Sequence, residues 1–337
     1  MKQVELSGGT IEYTDSGGEG PVLVLLHGLL MDASLWDGLI AELSADHRCV
    51  APTLPMGAHR HPAHADADLS LPGMARQVGE LLDRLDLTDV TLVGNDTGGA
   101  VVQLVVTDTA VSGDSVSGDS GPDTAVRDTA VGDSAARVGR IVLVSCEAFD
   151  NFPAGLTEKT LVLSGKLPPA LFGLFMQQMR LRILRRLPLA FGWLTIRGDA
   201  ATARWLQPIL RRSDIRRDTV RLLRALANGR ELLLEAAARL PGFDRPALVA
   251  WAADDRVMPP EHGRRLAELL PQGRLVAIPD SYTLVPLDQP ERLAQIIREF
   301  TASRAAAQRP APEPRRSAGT ESRDLAGADV TGAKEPR

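Results

Sequence analysis

The sequence predicts an α/β protein: a mostly parallel, doubly wound sheet with a helical cap inserted over one edge. Three observations predict it. Short apolar runs of strand length recur at 21–26, 90–93, 141–144, 247–251 and 275–278. Helix-spaced segments separate them, and alternation of this kind implies parallel pairing with helices on both faces. Between Glu147 and Leu240 the strand signal stops and helical spacing takes over.

The elements follow in order. Val4–Leu6 and Thr10–Tyr13 read as an edge hairpin turned at Gly8-Gly9. "PVLVLL", Pro21 to Leu26, is a continuous apolar run and reads as a strand buried on both faces. Leu35–Leu43 is helical by spacing, Arg48–Ala51 is the next strand, and Leu71–Leu85 is a long amphipathic helix. Val90–Val93, Ile141–Val144, Ala247–Trp251 and Leu275–Ile278 complete the sheet. Inside the cap, helical spacing covers Pro169–Leu187, Thr202–Leu210 and Arg217–Leu240. The expected organisation is a core over 1–146, a cap over 147–240, the rest of the core over 241–302 and a disordered tail over 303–337. Within the first part, Thr107–Ala136 repeats D-T-A-V and S-G-D-S. It has too few large apolar residues to offset its ordering entropy and reads as a disordered loop.

A hydrophobic content of 44% suffices for a core, and a net charge of −5 gives nothing that favours nucleic acid. Cys49 and Cys146 sit in apolar runs and read as buried thiols of a reducing compartment. "MKQVELSGGTIEY" has no apolar signal core, and no run approaches the roughly 18 residues of a membrane span. The expectation is a cytoplasmic protein with a small-molecule substrate, no cofactor and an open oligomeric state. The cap is rich in arginine, as in "RLRILRRL" from Arg180 to Leu187. A solvated helix face is the plain reading; attraction of an anionic substrate or a membrane surface is the sharper one.

The chemistry centres on "LVGNDTGGAV", Leu92 to Val101. A strand, a sharp glycine-bounded turn and an apolar helix form the layout G-x-Nu-x-G, whose middle residue stands exposed above a sheet. That residue is usually serine; here it is Asp96. A carboxylate in this place attacks an sp³ carbon and becomes an ester, and water must then cleave the ester with a base to take its proton.

The supporting groups come from the strand ends. Asp254-Asp255 follows the strand at Trp251, and Glu147 follows the strand at Val144. Either could supply an acid. The histidines are His27, His47, His59, His61, His64 and His262. His27 ends a strand and reads as structural. "GAHRHPAHADAD" spaces three histidines as H-x-H-x-x-H, which suits no common metal site, so a solvated loop and no metal are expected. His262 opens a helix and is expected to be exposed.

Together, His27-Gly28, the Gly94–Gly99 turn, Trp251–Asp255 and "DSYTLVPLDQP" resemble the α/β-hydrolase superfamily. They are most similar to its capped branch of haloalkane dehalogenases and epoxide hydrolases. The resemblance covers about Val4 to Ala302, leaving out the low-complexity loop. It implies an oxyanion hole from the N–H groups of Leu29 and Thr97, and an orienting acid at Asp255, with Glu147 where some relatives place theirs. It also implies a histidine after the last strand, but counting back from Asp288-Gln289-Pro290 puts that slot on Thr283. Other departures accompany this one. Thr97 and Leu29 stand where dehalogenases hold halide with tryptophan or asparagine. Leu30 stands where epoxide hydrolases carry proline, and neither Tyr13 nor Tyr282 lies in the cap.

The expected function is hydrolysis of a small, largely apolar substrate, with Asp96 as nucleophile or general base. The pocket would lie between the sheet and Leu171, Phe172, Phe175 and Met176 of the cap. The alternative is a non-hydrolytic ligand-binding protein or a cofactor-free lyase on a hydrolase scaffold.

Overall fold

A computed structural model of the chain describes residues 1–107, 134–188 and 190–307. Most of the low-complexity loop and of the C-terminal tail lies outside the described residues. The first half runs β1 (Lys2–Leu6), β2 (Gly9–Asp15), β3 (Val22–Leu26), α1 (Asp37–Leu43), β4 (Arg48–Thr53), α2 (Leu71–Arg84), β5 (Val90–Asn95), α3 (Thr97–Val106) and β6 (Val138–Val144). Then come the inserted helices α4 (Gly155–Ser164), α5 (Pro169–Gln177), α6 (Arg182–Arg185), α7 (Asp199–Trp205), α8 (Gln207–Arg211), α9 (Ser213–Ala225) and α10 (Gly229–Arg239). The chain returns to the sheet with β7 (Ala247–Ala252), α11 (Pro260–Leu269), β8 (Gly273–Ile278), α12 (Val285–Asp288) and α13 (Pro290–Ala307).

The eight strands form one sheet in the order β1-β2-β4-β3-β5-β6-β7-β8. The β1–β2 and β2–β4 pairs are antiparallel and the rest are parallel. The apolar runs explain the order. Every residue of β5, β6 and β7 is buried, as expected of central strands covered on both faces. The outer strands β1 and β8 alternate or face solvent, and Leu275 is exposed. Helix α2 begins where the sequence marks it: Ser70 caps the first turn by accepting from Gly73 N, with Pro72 just inside.

Register sets up the site. Gly94 at the end of β5 pairs with Leu26 of β3, and Asn95 pairs with Val144 of β6. The turn after β5 is therefore flanked by His27-Gly28 on one side and Ser145 on the other. All these parallel strands end at the same edge, where open α/β sheets bind ligands.

The inserted helices differ from the expectation in four ways: Thr202–Leu210 is split between α7 and α8 at Leu206, Arg217–Leu240 is split between α9 and α10 by a 3₁₀ turn, and two further differences follow. Helix α4 was not legible, because "GLTEKTLVLS" lacks helical periodicity. The expected continuous helix over Pro169–Leu187 is broken, with Leu181 extended between a 3₁₀ turn and α6. The break lets Arg185 fold back. Its guanidinium donates to the carbonyls of Met179 and Arg180 and clasps Asp199 through three hydrogen bonds. Arg185 is thus buried rather than part of a solvated face.

Candidate active site

Asp96 sits between β5 and α3 with φ 55° and ψ −133°, a strained backbone for a residue with a side chain. Such a turn needs glycine neighbours. A methyl group at Gly94 would lie 2.4 Å from the Gly98 carbonyl oxygen, and one at Gly98 would lie 2.3 Å from that of Leu26. Strand and helix can approach this closely only without side chains there. The turn is anchored on both sides. Asp96 N donates to Ser145 O at 3.1 Å, and Asn95 Nδ2 donates to Val144 O at 2.9 Å and to Thr283 O at 2.7 Å. Asn95 is a positioning residue that the sequence did not single out.

The Asp96 carboxylate is buried. Its Oδ1 accepts from Thr97 N at 2.6 Å and lies 2.9 Å from Thr97 Oγ1. The Leu29 N–H also acts on this carboxylate. Leu29 and Thr97 thus converge on Asp96 from opposite strands. Gly28 makes room for this: a methyl group there would come within 2.5 Å of Asp96 Oδ1. Burial nevertheless pushes the Asp96 carboxyl up to about 6, against the lowering effect of the Thr97 and Leu29 donors.

Two more carboxyls join it. Glu147, at the end of β6, is fully buried with Oε1 3.0 Å from Thr97 Oγ1 and Oε2 without a hydrogen bond. Glu158, on α4, accepts from Ala154 N and leaves Oε1 buried without a partner. Burial, and then the nearby Asp96 charge, raises both: Glu147 well above its usual range and Glu158 to about 8. Thr97 Oγ1 has one proton and two carboxylate neighbours. A neutral Glu147 satisfies both contacts by donating to Thr97, which donates to Asp96. Glu158 was missed in the sequence, although it is the only acid between Asp150 and Asp199.

Asp255 and Thr283 meet nearby. Thr283 Oγ1 donates to Asp255 Oδ1 at 2.8 Å, and the same oxygen accepts from Val257 N at 2.9 Å and Met258 N at 2.8 Å. Burial raises the Asp255 carboxyl and these donors hold it down. The two residues occupy the strand ends expected of an acid and its histidine partner, with a hydroxyl in place of the imidazole.

The histidines do other work. His27 is fully buried; its Nε2 accepts from Leu54 N at 2.9 Å and its Nδ1 bonds Gly28 O at 2.8 Å. Desolvation lowers it to about 4, so it is neutral and both nitrogens are engaged. His59 is buried rather than solvated: its Nδ1 accepts from Gly57 N and its Nε2 faces Asp218 at 3.5 Å. His61 turns to Glu12 and Gln3, and His64 to Ser7 O and Glu5, so the three diverge. His262 is not exposed as expected but half-buried, edge-on to Phe149 at 5.2 Å.

Asp96 and Glu158 line one cavity with Leu29, Leu161, Leu194 and Met258. Its free volume is about 30 Å³, room for roughly a water or two. A second cavity of about 40 Å³ shares Thr157, Leu161 and Phe191 with it and adds Leu30, Phe175, Met176 and Met179. Phe175 and Met176 line this second cavity and not the one that holds Asp96. Phe172 instead packs in the core, and Leu171 points to solvent at 52% exposure.

Comparison with known proteins agrees with this fold. The chain is 25% identical to Haloalkane dehalogenase 2 of Mycobacterium tuberculosis over 297 residues, 87% of this chain and 92% of that protein. A haloalkane dehalogenase of Mesorhizobium japonicum is 30% identical over 99 residues, which spans 29% of this chain and only 31% of the relative. Among solved structures, an esterase from Thermogutta terrifontis superposes with a TM-score of 0.63 at 22% identity, covering 90% of this chain and 99% of that one. An ancestral haloalkane dehalogenase does so with 0.67 at 18% identity, covering 91% and 100%. The family model described as "Alpha/beta hydrolase family" matches residues 23–296, and with that span the chain belongs to the alpha/beta hydrolase family.

Proposed function

We propose that the protein is a hydrolase of a small, largely apolar substrate carrying oxygen as the leaving atom on an sp³ carbon, as in an epoxide, with Asp96 as nucleophile and Glu158 as acid and base. One observation carries this reading: Asp96 and Glu158 line the same buried, mostly apolar cavity, where burial raises the Glu158 carboxyl to about 8 and so favours its protonated form near neutral pH. The dipole of α3 and the Thr97 N–H hold Asp96 Oδ1, and the Leu29 N–H acts on the same carboxylate. That leaves Oδ2 for attack on carbon. As the carbon–oxygen bond breaks, Glu158 gives its proton to the departing oxygen and becomes a carboxylate.

Water then attacks the Asp96 ester carbon, and Glu158 takes the water's proton. The negative charge that develops falls on Oδ1, which already accepts from the Thr97 N–H, with the Leu29 N–H acting on the same carboxyl. Collapse releases the alcohol with that proton. The Asp96 acid hands its own proton back to Glu158, which restores the starting state. In this scheme no histidine is needed, and the Thr283–Asp255 pair is structural. The relatives named for dehalogenation motivate the aspartate nucleophile. The protonated Glu158 favours oxygen over halide, because halide departs without a proton.

The test is turnover of small epoxides and alkyl halides by the wild type, Asp96→Asn and Glu158→Gln. Epoxide hydrolysis lost in both variants supports the reading. Halide release that survives Glu158→Gln would assign dehalogenation instead. Ligand binding without turnover, lost in Asp96→Asn, would favour the binding-protein alternative.

A further inference from the structure

The inserted helices expose an unusual set of side chains. Ile183 is 80% exposed, Leu174 69%, Leu156 67%, and Leu163 and Leu181 61% each. They all come from α4, α5 and the stretch leading into α6. Leu156 and Leu163 lie seven residues apart on one face of α4, and Leu171 and Leu174 lie three apart on α5. The segments are neighbours: Thr157 Oγ1 donates to Pro188 O at 3.0 Å, and Thr160, Phe175 and Met179 line one cavity. A cluster of this kind on a protein surface marks an interaction site.

Charge tells which kind. The chain as a whole carries −5. From Asn151 to Gly198 its single acid is Glu158, which is buried, while Lys159, Lys166, Arg180, Arg182, Arg185, Arg186 and Arg197 are basic; Arg182 and Arg185 pair with Asp199, and Arg197 with Asp280. Lys159, Lys166 and Arg180 are exposed and make no ion pair among the described residues. Beside Met179, a surface crevice of about 260 Å³ is lined by Arg180, Arg185, Gln207 and Arg211. Exposed leucines ringed by cations suit a surface that is apolar just beneath a layer of negative charge. A twofold contact with a second copy would instead bring like charges together.

We propose that this face of α4, α5 and the 178–187 stretch docks on an anionic lipid bilayer. The leucines and Ile183 enter the headgroup boundary, and Lys159, Lys166, Arg180 and Arg211 meet lipid phosphates. No helix among the described residues is long and apolar enough to cross a membrane, so the protein lies on the bilayer. The cavity behind this face is walled by Thr160, Phe175, Met176 and Met179 of the same helices. An apolar molecule dissolved in the bilayer then has a short path toward Asp96. The docking itself does not depend on what Asp96 does.

The experiment is co-sedimentation of the full chain with vesicles of phosphatidylcholine alone and of equimolar phosphatidylcholine and phosphatidylglycerol. Binding should require the anionic lipid and fall with added salt. Lys166→Glu with Arg180→Glu should weaken it by at least roughly tenfold. Leu174→Asn with Ile183→Asn should weaken it with the net charge of the face and the circular dichroism unchanged. Arg264→Glu, an exposed charge outside the cap, should leave it unchanged. No binding to anionic vesicles at low salt overturns the proposal, as does binding that neither double variant weakens. A chain that ignores vesicles but sediments as a dimer, and becomes monomeric with Leu174→Asn and Ile183→Asn, assigns the face to self-association and also overturns it.

Discussion

Thr283 donates its hydroxyl to Asp255 Oδ1 across 2.8 Å, joining the loop after β8 to the loop after β7. The same carboxylate oxygen holds the N–H groups of Val257 and Met258, and both of those residues line the cavity with Asp96. The pair therefore shapes the cavity wall. A threonine hydroxyl cannot take a proton near neutral pH; it serves Asp255 Oδ1 as a donor and leaves Oδ2 buried without a hydrogen bond.

Thr283→Val removes that donor at nearly constant volume. We expect a stability loss of about 1–3 kcal/mol, read as a lower Tm, with the pH profile of activity retained. A profile that changes shape would show that position 283 takes part in proton transfer.

The two cavity carboxyls set a pH window. Asp96 must be ionised, so kcat/KM rises as pH passes about 6. Glu158 must hold its proton, so kcat/KM falls as pH passes about 8. A bell with these limbs is expected of the Asp96–Glu158 pair as a unit. A rate that stays flat up to strongly alkaline pH would remove Glu158 from the mechanism.

Glu158→Gln should lower kcat by roughly 10²–10⁴-fold and abolish the alkaline limb. It also bears on stability. The carboxyl rises from its ordinary 4.5 to about 8 on folding, so the folded state holds the proton more tightly. Stability from this group is full below 4.5 and is lost as pH climbs through about 8. The variant should therefore gain Tm over the wild type at pH near 8 and not at pH near 4.5. A constant difference across that range would show that Glu158 ionises freely.

Much of this was legible in the sequence. The apolar runs of β3, β5, β6 and β7 gave the sheet because strands buried on both faces leave a continuous signal. The glycines around Asp96 gave the turn because only glycine permits that approach of strand and helix. The site was less legible. Glu158 carries no signal because α4 itself lacks helical periodicity, and only the folded chain brings it to the cavity it shares with Asp96. His59 looked solvated because its burial depends on Asp218, far along the chain on α9. The broken helix before α6 depends on the Arg185–Asp199 clasp, a pairing that helical spacing does not encode.

Gly28→Ala places a methyl group within 2.5 Å of Asp96 Oδ1, so the carboxylate must move away from the Leu29 and Thr97 donors. Losing one donor of such a hole typically costs about 10²–10³ in kcat. Assays of epoxide turnover check this. Unchanged kcat would mean that the Asp96 carboxylate does not need its place at the two N–H groups.

The central claim is that Asp96 carries the substrate as an ester. Intact-mass spectrometry of Glu158→Gln after exposure to a panel of small activated alkyl halides tests it most directly: halide departs without a proton, so the ester can still form, and this variant lacks the base that clears it. The expected result is a mass gain equal to the alkyl halide less hydrogen halide, mapped by peptide fragmentation to Asp96 and absent from Asp96→Asn. Turnover of a panel member by the wild type, with no adduct on Asp96 in Glu158→Gln, would contradict it.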